Sequence, residues 1–165
     1  MESNIIFNKD FDSKSTYVMK IYDADVSKVW DSFTRSELLD QWWGPKPWRC
    51  ETINQDFKEN GVWLYAMVGP NGEKAYSRSK YGEIIQHRSI DWMSAFCDEN
   101  GNIDEDAPQS KWLIGFTGVE EGTKVTVNIH YQSQEIMKKM FDMGFEGGFT
   151  IGLTQLEDVL KVYKK

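Results

Sequence analysis

Apolar and polar side chains alternate over Ser15-Thr16-Tyr17-Val18-Met19-Lys20-Ile21-Tyr22, a stretch rich in strand-forming residues. The period of two predicts a strand, preceded by a short extended piece at residues 4–9. The period then changes. Val26, Val29, Trp30 and Phe33 fall at helical spacing behind a cap supplied by Asp23 or Asp25, and Leu38, Leu39, Trp42 and Trp43 repeat the pattern behind Ser36. Two short helices are expected, the second stopped at Gly44-Pro45 because proline lacks the amide hydrogen that a helix needs.

Period two returns at residues 49–57 and again, after Asn60-Gly61, over Val62–Val68, where Trp63, Tyr65 and Met67 share a face. Pro70-Asn71-Gly72 marks a tight hairpin turn. Further strands are expected at residues 74–86, at 89–97 with Ile90, Trp92 and Phe96 on one side, and at 111–117 with Trp112, Ile114 and Phe116 together. The polar run Asp98–Pro108 reads as a solvated, mobile loop. Past a turn at Gly118–Gly122, Val125, Val127, Ile129 and Tyr131 alternate with Lys124, Thr126, Asn128 and His130. From Ser133 or Gln134 onward the spacing is helical to the end of the chain. Gly144, Gly148 and Gly152 lie four apart in that segment. Interior glycines weaken a helix, so either it breaks near Gly147-Gly148 or something approaches its backbone closely.

This order gives an α+β fold: a strand, two short helices, an antiparallel meander and one long helix, read as a single domain over residues 1–165. A meander of that length needs cover for its apolar face, and only the terminal helix is long enough to provide it. A curved antiparallel sheet of six to seven strands should therefore wrap around the helix, the helix-grip arrangement, and enclose a wedge-shaped interior.

Composition sharpens the picture of that interior. Seven Trp, seven Tyr and nine Phe make it a ring-built core, and rings leave gaps that aliphatic side chains would fill. The net charge of −7, with no basic cluster, argues against a nucleic-acid partner. Cys50 and Cys97 fit no metal or redox spacing. The first ten residues lack a basic leader, and no run of about 18 apolar residues occurs, so a cytoplasmic protein without a membrane partner is expected.

Several segments together resemble the START-like (SRPBCC) superfamily, and within it the branch related to the C-terminal domain of the activator of the heat-shock 90 chaperone ATPase. They are Val29-Trp30, Phe33-Thr34, Leu38, Trp42-Trp43-Gly44-Pro45, Asn60-Gly61-Val62-Trp63, Met67, Gly69-Pro70-Asn71-Gly72, Tyr81-Gly82-Glu83-Ile84, Gly122-Thr123-Lys124-Val125-Thr126-Val127 and Gly148-Phe149 with Leu153, Leu156 and Leu160. The chain departs from the family pattern at Asn60, where a second glycine is common, and at Phe149, where tryptophan is usual. The resemblance implies the helix-grip fold and brings no catalytic residue with it, because the same scaffold hosts carriers, receptors and cyclases. Chaperone stimulation is not implied either, since the eukaryotic activator's additional N-terminal domain has no counterpart in this sequence.

The expected activity is binding of a small hydrophobic or amphipathic molecule between sheet and terminal helix. Its expected lining is Trp42, Trp63, Tyr65, Tyr81, Trp92, Trp112, Met140, Gly144 and Phe145, with Met137, Met140 and Met143 supplying adaptable surface. The bland alternative is that Trp42, Trp43 and Trp48 only cement the helices to the sheet. A protein-interaction module of chaperone-activator type is a second reading, and an enzyme using Glu83 or Asp91 as acid/base a third. His87 and His130 stand apart from any nucleophile or ligand partner, and Asp98–Asp106 lacks the ligand spacing of a calcium loop. No cofactor and no metal are expected. A homodimer would follow from apolar residues on the sheet's outer face.

Overall fold

The computed structural model describes residues 5–164; Asn4, the first residue of the expected extended piece, and Lys165 lie outside the described residues. Strands β1 (Ile5–Asp10) and β2 (Ser15–Tyr22) lead into helices α1 (Val26–Thr34) and α2 (Ser36–Trp42). Strands β3 (Arg49–Gln55), β4 (Val62–Val68), β5 (Lys74–Ile85), β6 (Ser89–Cys97), β7 (Gln109–Val119) and β8 (Gly122–Tyr131) follow as a meander, and α3 (Gln134–Asp142) and α4 (Phe145–Val162) complete the order. One eight-stranded sheet results, ordered β1-β2-β8-β7-β6-β5-β4-β3. The strand beyond the expected six to seven is β1, which pairs along its whole length with β2 from Ile5↔Lys20 to Asp10↔Ser15. The two short helices therefore follow the second strand rather than the first.

Helix α2 is fixed at both ends by glutamines from elsewhere in the fold. Asp25 caps α1 through a hydrogen bond from the Lys28 amide. The first turn of α2 is served by β3 instead: the Ser36 N–H donates to Gln55 Oε1 at 3.0 Å, and Gln55 Nε2 donates to the Thr34 carbonyl at 2.8 Å. Ser36 is thus inside the helix and not its cap, since the acceptor that a capping hydroxyl would supply comes from a long-range partner. At the other end, Gln155 of α4 donates from Nε2 to the carbonyls of Trp42 and Gly44, and its Oε1 accepts from the Lys46 N–H.

The terminal helix is two helices. Gly144 adopts φ +88°, a left-handed conformation that only glycine enters freely, and it separates α3 from α4. The break therefore lies at Met143-Gly144 and not near Gly147-Gly148, which are helical. Close backbone approach also occurs, at a different glycine: a Cβ on Gly152 would stand 3.1 Å from the Trp42 carbonyl oxygen, so α2 and α4 pack nearly backbone to backbone. Below that contact Leu153, Leu156, Val159 and Leu160 bury the helix against the sheet's inner face.

Residues 98–108 form the largely exposed loop expected, tied back to the sheet at several points. Arg78 donates to the Gly101 carbonyl at 3.0 Å, the Asp104 N–H to Phe96 O at 3.0 Å, and Cys97 bridges to Ile103. The Asp98 carboxylate accepts from the Asn100 and Asn102 amides and from Asn102 Nδ2. These contacts fold the segment back against the sheet beside Leu64. The αL residue Asn60, φ +68°, explains the family's glycine preference there, because asparagine is among the few other residues that tolerate that conformation.

One buried charge crosses the sheet–helix interface. Lys20 on β2 is only 2% exposed, and its ammonium meets Glu157 of α4 at 2.7 Å, with the Tyr22 ring 5.0 Å away. Glu157 keeps a 40% exposed side chain, which moderates the pairing. Removing only the anion leaves an enclosed cation without its partner, whereas removing the cation leaves a carboxylate that water can reach. Urea unfolding is expected to show Glu157→Gln destabilised by about 2 kcal/mol, with Lys20→Met costing clearly less.

Candidate ligand cavity

The register across β4–β8 sorts inward-facing side chains into rows. Tyr81, Trp92, Trp112 and Ile129 are successive cross-strand neighbours, a row of large groups in which the Trp92 and Trp112 rings stack at 5.7 Å. The adjacent row runs Trp63, Ser79, Ser94, Ser110 and Tyr131. A third contains Tyr65, Ser77 and Phe96. Three consecutive serines beside a row of indoles leave a volume deficit over the middle of β5–β7, because a hydroxymethyl group cannot reach the height of its ring neighbours.

A cavity of about 500 Å³ lies at the edge of that deficit, over Ser94 and the neighbouring Tyr65-Ser77-Phe96 row. Ser77, Ser94, Tyr65, Met67, Phe96 and Trp112 form its sheet side; Met140, Met143, Gly144, Phe145, Gly148, Phe149 and Ile151 form its helical side around the α3–α4 junction. Trp43, Pro45, Lys46 and Trp48 close the third side. The left-handed turn at Gly144 matters here, since it tilts α3 away from the line of α4 and lets both helices border one space. Rings line up behind the wall: Phe145 stacks on Phe149 at 5.4 Å, and Phe149 meets Trp43 and Trp112 edge-on at 5.9 and 5.4 Å. The Met143 and Ile151 side chains at the opening are 61% and 45% exposed.

Of the nine residues expected to line such a space, the structure places Tyr65, Trp112, Met140, Gly144 and Phe145 on the wall. The other four sit in the packed layer around it. Trp42 is fully buried, donating from Nε1 to the Ser32 carbonyl at 2.9 Å and pressing on Phe33 at 4.8 Å, so it joins α1 to α2. Trp63 donates to Thr52 Oγ1 at 3.0 Å and stacks under Tyr65 at 4.1 Å. Tyr81 accepts at its hydroxyl from Gln55 and packs on Phe57, and Trp92 lies beneath Trp112. The indole cluster therefore divides: Trp42 cements the helices, while Trp43 and Trp48 border the cavity. Trp43 was separable from Trp42 only by its phase, since consecutive helical residues point about 100° apart. The inward serines carried a signal too, in Ser79, Ser94 and Ser110 of one row and Ser77 of the next, on strands otherwise filled with rings.

The wall is largely uncharged. Among the described residues that border the cavity, Lys46 alone carries a charge, and it is exposed at the rim. Burial raises the Tyr65 phenol well above its ordinary range, opposed by the Trp43 and Ser77 side chains, so this hydroxyl stays neutral. Trp112 donates to Ser110 at 2.9 Å. Glu83 is exposed, and Asp91, on the outer side of β6, accepts from the Glu83 amide at 3.2 Å across the bulge in β5. Neither carboxylate borders the cavity. The His87 ring packs edge-on against Trp30 at 5.8 Å, and His130 is exposed. No group of His, Cys, Asp or Glu among the described residues is arranged to hold a metal ion. No helix among them is long and apolar enough to cross a membrane.

A curved antiparallel sheet gripping a C-terminal helix, with two short helices inserted after its first hairpin, defines a START-like protein of the helix-grip class. Residues 23–161 match the family described as Activator of Hsp90 ATPase homolog 1-like protein, and the chain belongs to that family. It is similar to a solution structure of a protein from Arthrobacter aurescens, at 28% identity and a TM-score of 0.89 over 97% of this chain and 93% of that one. Protein Ms6760 from Mycobacterium smegmatis, a crystal structure, shares 24% identity at a TM-score of 0.86, covering 94% of this chain and 96% of its own. The AHSA1 protein from Silicibacter pomeroyi shares 15% identity at a TM-score of 0.71, covering 90% and 98%. The last two likenesses concern the fold alone. No functionally curated protein matches the chain.

Burial also sets the alkaline limit of this core. It pushes the Tyr81 and Tyr131 phenols up to about 12, and raises Tyr22 and Tyr65 as well. The unfolded chain releases these protons near pH 10 while the folded chain keeps them, so their stabilisation is complete below about pH 10 and is lost as pH climbs through 12. A pH titration followed at 295 nm should show these phenolates appearing together with loss of the near-ultraviolet circular dichroism of the core.

Proposed function

We propose that this chain is a binding protein for a small hydrophobic or amphipathic molecule, held between the sheet and the α3–α4 junction. The observation that carries this reading is the cavity of about 500 Å³, walled by aromatic rings and floored by serines. That volume is in the range that accommodates drug-sized ligands, and the mixture of apolar wall and sparse hydroxyls is the usual composition of such sites. Tyr65, Trp112, Met140, Gly144 and Phe145 are the proposed contacts retained from the sequence expectation, joined by Trp43, Trp48 and Phe149. Trp42, Trp63, Tyr81 and Trp92 support the site from behind. The net charge of −7 supports a small-molecule partner over a polyanion. The positions of Glu83 and Asp91 outside the cavity support binding over acid/base catalysis.

Gly148 is the position that tests the proposal most cleanly. A Cβ there would meet Pro45 Cγ at an ordinary 3.5 Å, and the backbone is helical, so Gly148→Leu extends a side chain into the cavity without backbone strain. Leucine also suits a helix better than glycine by about 1 kcal/mol. Gly144→Leu is less informative, because its φ of +88° strains any side chain. In tryptophan-quenching titrations against a panel of lipids and aromatic compounds, Gly148→Leu should weaken binding by at least about tenfold while leaving the melting temperature unchanged or higher. Uniform failure of the unsubstituted protein to bind any member would overturn the proposal.

A further inference from the structure

The polar groups of the cavity are not spread evenly. Its rim, at Met143 and Ile151, is apolar apart from the exposed Lys46. Its hydroxyls lie on the sheet side, at Tyr65, Ser77 and Ser94, with Ser77 and Ser94 in neighbouring register rows of β5 and β6. Ser77, 7% exposed, borders the cavity beside Ser94, whereas Ser79, the cross-strand neighbour of Ser94, lies behind the wall. Diagonal neighbours on one face of adjacent strands stand about 7–8 Å apart, so a polar atom seated between Ser77 and Ser94 comes within reach of both hydroxyls.

Charge narrows the ligand further. No charged side chain among the described residues borders the inner part of the cavity, and an anion buried there would lose its hydration without a counterion. The ring faces around it suit a flat apolar body. Resting on the proposal that the cavity binds a ligand, we infer that it takes a neutral amphiphile polar end first: an uncharged hydroxyl or carbonyl group against Ser94 and Ser77, and a ring-containing body between Trp43, Trp112 and Phe149. Long-chain acids and phosphate esters would then be poor ligands, despite Lys46 at the rim.

Three probes of one skeleton test this with the full chain at pH 7: 1-pyrenebutanol, 1-pyrenebutyrate and 1-butylpyrene, followed by energy transfer from tryptophan to pyrene. The alcohol is expected to bind at least about tenfold more tightly than the ionised acid. Ser94→Ala should weaken the alcohol about fivefold while leaving butylpyrene unchanged, and Ser77→Ala should act in the same direction if the first variant folds poorly. Butyrate binding as tightly as the alcohol, with the advantage lost in Lys46→Ala, would overturn the inference and assign selection to the rim. Equal response of alcohol and hydrocarbon to both serine variants would overturn it while leaving the cavity a binding site. Failure of all three probes to bind would remove the binding proposal itself and this inference with it.

Discussion

Side-chain volume drops abruptly between two adjacent rows of the sheet's inner face, and the rest of the site depends on that step. Tyr81, Trp92 and Trp112 fill one row to the depth of an indole; Ser79, Ser94 and Ser110 fill the next to the depth of a hydroxymethyl group. A helix laid across such a surface rests on the tall row and bridges the short one. Close packing elsewhere in the core cannot collapse into the gap, because the rings bounding it are locked from behind by Trp63, Trp92 and Trp42. Rigid surroundings and a local deficit together produce lasting empty space, as they do when a large core side chain is truncated in a well-packed protein.

The second requirement is a roof that does not settle onto the serines. Gly152 lets α4 approach the end of α2 until the backbones nearly touch, and Gln155 then binds the Trp42 and Gly44 carbonyls that the helix end leaves unpaired. Those contacts hold α4 at one height on the side of the Trp43–Trp48 turn. On the other side Gly144 redirects the chain so that α3 continues at an angle, its Met137 buried and its Phe141 ring packed toward Phe7, Phe11 and Tyr131. The cavity lies where these two supports diverge.

Much of this architecture was legible in hydrophobic periodicity. The strands of the meander, the paired helices and the Gly-Pro stop all followed from spacing, because burial against one face imposes a period that the sequence must obey. What escaped had long-range causes. Gln55 substitutes for a cap from far along the chain, and Arg78 recruits the acidic segment onto the sheet, neither of which leaves a local mark. Gly144, Gly147 and Gly148 look alike in sequence, and only the tertiary path decides which one turns left-handed. At the site, alternation put Trp63, Trp92 and Trp112 on the correct face, but it could not say which of them touches open space. That depended on row position along the sheet, and the small residues, easily passed over as solvent-facing, mark the place better than the large ones.

The Lys20–Glu157 contact has a consequence for how the helix is seated. Leucine and valine interfaces are forgiving: a helix can roll or slide on them at modest cost, since one aliphatic contact replaces another. An ammonium sunk in the sheet accepts no such exchange, because its partner carboxylate occupies a single azimuth on α4 and a roll of one residue would swing it about 100° away. The pair thus works as an angular key for the helix, and the orientation that it selects is the one that turns Phe149 and Gly148 toward the indoles at the opposite end of the same rod.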